Sequence, residues 1–406
     1  MDLHEFQAKE LLARYGVRLP RGRLAGTPDA AEAGAHALRA RRFAVKAQVL
    51  AGDRNKHGGV RFADTPAMVG SEAGSLLGRP LAMGQTSPLG RSVRWVYIEE
   101  AIDAAHLFYA AVVLDRTAGC PMLLASEHGG DDIEQLAAGE PDVIKQIPLT
   151  LTAGNAEGDF VGLARRIGLD GPELTAAERL FRQLAATFVV LDATLLEINP
   201  LALVDGPEFV ALDAKLTIDD NALFRHADLR GLRDFTLRDE GDPVELEAQR
   251  HQINYIRMGG DIGLVANGAG LALATLDMLC DAGGRPANFM DIRTTASSLD
   301  IARGVQLLLE DPAVRAILVN VHGGGMQACD TIAEGIGIAV RRSPDRTLPI
   351  VICMAGNHAE FAKKVLINTG VQHIACTNTW DAVQRAVGSV RMESRTWLSS
   401  LVHKRA

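Results

Sequence analysis

From Ile262 onward the chain repeats one short phrase: an apolar run, a glycine-containing turn, and a helix-length segment. Ile262-Gly263-Leu264-Val265-Ala266 leads through Asn267-Gly268-Ala269-Gly270 into a helix over 271–280. Asn288–Ile292 is the next strand, followed by a helix over 299–309. The strand 316–321 runs into His322-Gly323-Gly324-Gly325, and the following helix is expected to begin near Met326 or Gln327. A last strand, 349–354, ends at Ala355-Gly356-Asn357 before a helix that stops at Gly370. Strands alternating with helices imply a parallel, doubly wound sheet. In such sheets ligands gather at the carboxyl ends of the strands, where helix N-termini can hold anions.

The first half has a different texture. A helix is expected from Leu3 to near Gly16, and Phe43-Ala44-Val45-Lys46-Ala47-Gln48-Val49 reads as a strand carrying one lysine. It runs into Ala51-Gly52-Asp53-Arg54-Asn55-Lys56-His57-Gly58-Gly59, a basic, glycine-bearing loop suited to covering a phosphate. Trp95-Val96-Tyr97-Ile98-Glu99-Glu100 is a strand ending in acids, which suits either a nucleoside contact or a solvated terminus. Further strands are expected over 108–114 and 122–125, and an amphipathic helix over 173–191.

That helix feeds Leu195-Leu196-Glu197-Ile198-Asn199-Pro200-Leu201, and a second strand is expected over 211–215, Ala-Leu-Asp-Ala-Lys. Val204-Asp205-Gly206 supplies the turn of a hairpin, with Pro200 closing its first strand. Pairing would bring Asn199 and Asp213 to one point, as oxygen ligands for a hard cation such as Mg²⁺. Strand alternation puts Glu197 on the same face as Asn199. Alone, the hairpin is better read as carrying solvated polar positions; the rest of the chain argues otherwise.

The charge-dense stretch from Arg230 to Glu245, with Gly241 and Pro243, marks a boundary. Domains are expected at 1–240 and 241–391, with 392–406 a basic-ended, partly disordered tail. A net charge of −8 argues against a nucleic-acid binder or a protein of anionic membranes. Charged residues begin at Asp2, no apolar run approaches membrane-spanning length, and five cysteines lie scattered without paired spacing. The expected setting is cytoplasmic.

Five segments together resemble the β subunit of the ADP- or GDP-forming succinate–CoA ligases and their malate–CoA ligase relatives. They are Leu3-His4-Glu5-Phe6-Gln7-Ala8-Lys9, Glu197-Ile198-Asn199-Pro200-Leu201, Asp220-Asn221-Ala222-Leu223-Phe224-Arg225, Val265-Ala266-Asn267-Gly268-Ala269-Gly270-Leu271-Ala272 and Pro286-Ala287-Asn288-Phe289. The resemblance covers nearly the whole chain. It implies an α/β fold, with an N-terminal ATP-grasp module followed by a flavodoxin-like, doubly wound CoA-ligase domain. It makes the chain an acid–thiol ligase subunit that needs Mg²⁺, ATP or GTP, a small dicarboxylate, and a CoA-binding α subunit. That α subunit carries the histidine of a phosphoryl relay between nucleotide and carboxylate; none of the eleven histidines here sits in its Gly-His-Ala-Gly type of loop.

Site roles follow from the resemblance. Lys46 matches the lysine at the nucleotide phosphates, with Asp53, Arg54 and Asn55 in the adjoining loop, and Glu99 the acid beside base and sugar, with Ile102 nearby. Asn199 and Asp213 match the Mg²⁺ ligands. Glu197, with Arg54 beside it, matches the carboxylate that orients the phosphohistidine. Asn267 matches a substrate contact, and Gly325, Met326 and Gln327 occupy a substrate-contacting turn.

Departures cluster at the loops. Asp53 and Asn55 replace glycines, Leu107 replaces an acid, Ile102 a hydroxyl residue, and Cys353 and Ala355 an Arg and a Glu. Arg293-Thr294-Thr295 stands where the family has three glycines, so Arg293 is expected to recharge the acid pocket. His322 is expected to pack or support. Two other readings fit: a noncatalytic paralogue with an assembly or regulatory role, and an ATP-grasp ligase passing an acyl phosphate to an amine.

Overall fold

Residues 1–50, 54–81, 91–104, 106–152, 155–204, 206–240, 242–324 and 327–403 are described by a computed structural model. The chain divides into two units, Met1–Glu240 and Gly241–Ala406. The first unit opens with helix α1 (Glu5–Arg14), strand β1 (Gly22–Ala25), helix α2 (Pro28–Leu38) and strands β2 (Phe43–Ala47) and β3 (Val60–Ala63). Helix α3 (Pro66–Leu76), a ribbon of β4 (Pro80–Leu81) with β5 (Arg91–Ser92), and β6 (Val96–Glu100) follow. An antiparallel sheet forms in the order β1-β6-β2-β3. Both α2 and α3 start at Thr-Pro: the hydroxyl of Thr27 or Thr65 accepts from the backbone N–H three residues on, at 3.2 Å. The proline takes the position whose own N–H needs no partner. Phe43, Val45 and Ala47 share a core with Ala31, Ala35, Val69 and Ala73 of these helices. The strand period of two therefore turns Lys46 to the other face of the sheet.

The rest of this unit comprises β7 (His106–Asp115), β8 (Cys120–Ser126), α4 (Ile133–Gly139), β9 (Lys145–Pro148) and a ribbon of β10 (Thr150–Thr152) with β11 (Asn155–Glu157). Helices α5 (Phe160–Arg166) and α6 (Gly171–Val190) precede β12 (Ala193–Val204), β13 (Glu208–Ala211) and β14 (Ala214–Ile218), and α7 (Arg230–Glu240) follows them. The second sheet runs β13-β12-β7-β8-β9, with β14 also on β12. Leu180, Phe181, Leu184 and Phe188 of α6 share a core with Leu196 and Ile198 of β12. Ala8, Leu11 and Leu12 of α1 join the same core. Glu197 and Asn199 therefore face away from it.

The expected hairpin needs correcting in two places. No single strand spans 211–215: β13 pairs with Leu201 to Val204, β14 with Ala193 to Ile198, and Leu212 and Asp213 lie between. Nor does Pro200 close its strand, since β12 continues to Val204. Pro200 sits where the register with β7 shifts between Ile198 and Leu201, so its missing N–H costs no ladder bond there.

The second unit contains α8 (Pro243–Arg250), β15 (Ile253–Arg257), β16 (Ile262–Ala266), α9 (Ala269–Asp281), β17 (Asn288–Ile292) and α10 (Ser298–Glu310). It continues with β18 (Ala316–Gly323), α11 (Cys329–Arg342), β19 (Ile350–Gly356), α12 (Ala359–Asn368), β20 (Ile374–Cys376) and α13 (Thr379–His403). The sheet order is β15-β17-β16-β18-β19-β20, parallel except for β15, which is antiparallel to β17. Ile317, Val319 and Val321 of β18 share a core with Ile301, Ile332 and Ala362 of α10, α11 and α12. Ala316 and Leu318 belong to the core of α9 and α13, through Ala272 and Ala382. Helices thus cover both faces of the sheet.

Three details differ from expectation. The antiparallel edge strand β15 is new. Helix α11 begins at Cys329, after Gly324 and Gln327 exchange backbone bonds of 3.1 Å in both directions. Finally, α13 runs through 392–403, where a partly disordered tail was expected. Its buried Ala382, Val383, Ala386, Val387 and Val390 anchor the helix, and 392–403 holds no Gly or Pro to end it. Among the described residues no helix is long and apolar enough to cross a membrane.

Candidate active site

Lys46 leaves β2 on the face away from its apolar core, and a buried charge needs counter-charges. Its Nζ lies 2.8 Å from Glu5 Oε1 of α1, 2.7 Å from Glu99 Oε2 of β6 and 2.5 Å from the Leu212 carbonyl oxygen. Lys9, one turn after Glu5, pairs with Glu99 and donates to the same carbonyl at 2.6 Å. Arg54 completes the cluster: Nη2 reaches Asp213 Oδ1 and Oδ2 at 2.9 and 2.7 Å and Glu5 Oε2 at 2.8 Å, while Nη1 donates to Ala47 O at 2.9 Å. Helix α1 thus supplies an acid and a base that link one sheet of the unit to the break between β13 and β14.

The electrostatics follow from burial among opposite charges. Desolvation raises the Glu5 pKa, but Lys46, Lys9 and Arg54 outweigh it and hold the carboxyl well below its usual range. Desolvation opposes protonation of Lys46, yet Glu5, Glu99 and Asp213 push its pKa up. Arg54 is raised in the same way, by Asp213 and Glu5 against desolvation. The Tyr97 hydroxyl is also raised, by burial and then by Glu99.

The strand β6 ends in Glu99 and Glu100 as expected, and Glu99 is no solvated terminus. It lies within β6, opposite Ala44, is 1 % exposed, and is held by two lysines. Asn55 donates to Asp131 Oδ2 at 2.5 Å on the surface. Ile102 is half-buried, and Asp53 lies outside the described residues.

On β12, Glu197 stands across from Ala111 of β7 and Lys215 of β14. Burial raises its pKa; Lys215 opposes this, and Glu134 and Asp213 add to it. Asn199 exchanges both amide groups with Gly130: its Oδ1 accepts from the glycine N–H at 2.6 Å, and its Nδ2 donates to the carbonyl at 3.2 Å. The neighbouring Gly129 permits this approach, since a Cβ there would lie 2.1 Å from Phe108 O.

In the second unit the candidate residues cluster at the carboxyl ends of β16, β17 and β18. Asn267 bridges to the backbone of His322, donating to its carbonyl and accepting from its N–H, both at 2.9 Å. The His322 side chain is exposed, so the expected packing role falls to its main chain. Arg293 donates through Nε and Nη2 to Asn254 Oδ1 at 3.1 and 2.9 Å. Asn254 donates onward to Asp291 at 3.2 Å, and Asp291 accepts from the Gly268 N–H at 2.7 Å. Gln327 is buried, and Gly325 and Met326 lie outside the described residues.

Comparison with known proteins assigns these two regions. The ATP-grasp domain model matches residues 2–203, and the CoA-ligase model matches 265–387. The succinate–CoA ligase [ADP-forming] β subunit of Anaeromyxobacter dehalogenans (strain 2CP-C) is 41 % identical over 96 % of this chain and 100 % of its own. The chain belongs to the succinate–CoA ligase β-subunit family. A second member, from Geobacillus kaustophilus (strain HTA426), is 40 % identical over the same shares of both chains. The fold is also that of ATP citrate lyase from Methanothrix soehngenii, solved with citrate and coenzyme A. That match has a TM-score of 0.76 at 17 % identity and covers 95 % of this chain and 99 % of the lyase chain.

Membership makes the chain a subunit of the nucleotide-dependent acid–thiol ligases, and its ATP-grasp half implies ATP. Within this family frame, Lys46, Arg54, Glu99 and Asp213 come together in one cluster, while Asn267 and Arg293 belong to the other unit. Sequence reading missed Glu5, Lys9 and the Leu212 carbonyl, and in the second unit Asn254. The one signal for the first two was their i, i+4 spacing at the head of an amphipathic helix, which ordinarily marks a surface ion pair.

Proposed function

We propose that the chain is the nucleotide-handling β subunit of a carboxylate–CoA ligase acting on succinate or a malate-like dicarboxylate. Its partner is a CoA-binding α subunit whose histidine carries the phosphoryl group. The observation that supports this best is the meeting of Lys46, Arg54 and Asp213, from separate segments, in one ionic cluster. Residues 1–240 form the nucleotide half and 241–391 the CoA-ligase half.

In this reading Lys46 and Arg54 meet the nucleotide phosphates, with Asp53 and Asn55 in the covering loop. Glu99 and Ile102 flank base and sugar. Asn199 and Asp213 offer the oxygen donors that a hard cation prefers. Among the described residues no group of three or more His, Cys, Asp or Glu is placed to hold a metal. That suits Mg²⁺, which takes few protein ligands and completes its shell with phosphate and water. Bound Mg²⁺ would supply neutralisation of phosphate charge during transfer.

Glu197 faces away from the core beside Asn199, where it accepts the far N–H of the partner's imidazole and stabilises its charged form. The phosphoryl group then passes between nucleotide, histidine and the substrate carboxylate. CoA thiolate attack on the resulting acyl phosphate releases phosphate and forms the thioester. Asn267, Gln327 and the turn at 325–326 contact the acid. Arg293, held by Asn254, places a cation near the Gly268 turn that a three-glycine sequence lacks, and so favours acids with a second anionic group.

The test mixes the chain with its co-expressed α subunit, Mg²⁺ and γ-labelled ATP. Label is expected on the partner's histidine, and lost on Glu197→Gln or Asp213→Asn. An intact complex that takes up no label would make the chain a noncatalytic paralogue.

A further inference from the structure

Lys46 and Arg54 share one carboxylate that has no place in the nucleotide reading. Glu5 Oε1 accepts from Lys46 Nζ at 2.8 Å and lies 2.8 Å from Lys9 Nζ. Its Oε2 lies 2.8 Å from Arg54 Nη2 and accepts from Gln48 Nε2 at 3.4 Å. The side chain is 1 % exposed and fixed to a helix packed in the unit's larger core. Asp213 differs: its side chain is 29 % exposed, and both its oxygens meet the same Arg54 nitrogen. A guanidinium Nη carries two hydrogens, so Arg54 Nη2 offers one to each carboxylate.

Both Asp213 oxygens already meet Arg54 Nη2, and a divalent ion that draws on the same oxygens competes with the guanidinium for their electron density. As that pair loosens, a second carboxylate is needed to keep the guanidinium in place. We propose that Glu5 is a positioning residue for nucleotide binding, holding Arg54 and Lys46 while Asp213 passes from Arg54 to the metal. This rests on the reading of Lys46, Arg54 and Asp213 as phosphate and metal groups, and deepens it.

Removing the Glu5 charge has two effects of opposite sign. Arg54 is left with Asp213 as its sole carboxylate among the described residues, so the metal competes against a tighter pair. At the same time Lys46 and Arg54 lose a counter-charge and attract free phosphate at least as strongly. A glutamine would present its oxygen to one of these cations and its NH₂ to the other, which repels it. A merely structural defect would weaken metal-free and metal-dependent binding together.

The experiment is calorimetric titration of ADP, with and without Mg²⁺, into the full chain bound to its α subunit. Wild type, Glu5→Gln, Arg54→Gln and the double variant are compared. Expected for Glu5→Gln is an approximately tenfold rise in the Mg²⁺ needed for half the metal effect, with metal-free ADP affinity equal or stronger. In the Arg54→Gln background that tenfold rise vanishes. Parallel weakening of both affinities, or a rise that persists without Arg54, overturns the proposal. A crystal structure of the wild-type complex with Mg²⁺ and ADP tests it without any variant. Arg54 still on Glu5 with Asp213 turned away supports it, and Arg54 released from Glu5 overturns it. Absence of ADP binding by wild type would overturn the nucleotide reading, and this inference with it.

Discussion

The two units place polar side chains at their candidate sites by different means. In the first, side chains meet side chains of opposite charge: Glu5, Glu99 and Asp213 against Lys9, Lys46 and Arg54. In the second, the run of side chains from Arg293 through Asn254 to Asp291 ends on main chain, and side chains meet main chain directly: Asn267 with His322, Asp291 with Gly268, and the buried Asn288 with both backbone groups of Leu264. An ionic cluster can exchange partners when a charged ligand arrives. A side chain bonded to its own sheet has no such alternative. Under the proposed function, the first arrangement suits a site that phosphate and metal rearrange, and the second a site that keeps its shape for an acid.

The comparison is broken most severely at Lys46. Lys46→Met is expected to lower histidine phosphorylation by about 10³-fold, read as initial rate of label transfer. Next in size is Asn288→Ala. The side chain spans β16 and β17 at Leu264, where β16 has no ladder partner in β17, so its loss strands a buried N–H and C=O. That should cost about 3 kcal/mol in denaturant unfolding of the second unit and leave ADP affinity unchanged. Altered ADP binding would show that the units do not act separately. Arg293→Gly is smaller: the ratio of specificity constants for succinate over a matched monocarboxylate should fall by about fivefold to tenfold. An unchanged ratio would remove Arg293 from acid selection.

The smallest effect concerns acid. The Glu5 carboxyl is depressed in the folded state, so its stabilisation is complete above its unfolded value of about 4.3. It declines only as pH falls from there through the folded pKa. The melting-temperature advantage of wild type over Glu5→Gln should be flat from pH 8 to 5 and shrink below about pH 4. A gap that widens in acid would contradict the ion-pair account.

Much of the architecture was legible because periodicity and turn chemistry agree in this chain. Asn288–Ile292 and Ile262–Ala266 form strands with the ends their apolar runs imply. Phe43–Ala47 forms a strand within the run expected to carry Lys46, and the structure adds which face the lysine takes. What failed has physical causes. The strand Ile253–Arg257 is short, mixes Asn and Arg with apolar residues, and follows a charge-rich stretch, so it carries no strong period. The break at Leu212 and Asp213 is invisible in an apolar run, because only pairing with two stretches of β12 creates it. The i, i+4 spacing of Glu5 and Lys9 is that of an ordinary exposed helical pair; only the tertiary structure buries them. Asn254 gave no signal at all, since its role depends on an Arg nearly forty residues away.

The Leu212 carbonyl receives both Lys9 and Lys46, and this has a consequence for drift in the sequence. A main-chain oxygen is present whatever residue occupies the position, so side-chain replacement at 212 leaves the acceptor intact. Its location, however, depends on the two-residue spacing between Ala211 and Ala214. Insertion or deletion of a single residue there would misplace the acceptor for two ammonium groups and swing Asp213 away from Arg54 in the same event. Relatives that keep this chemistry should therefore vary in letter at 212 but not in length.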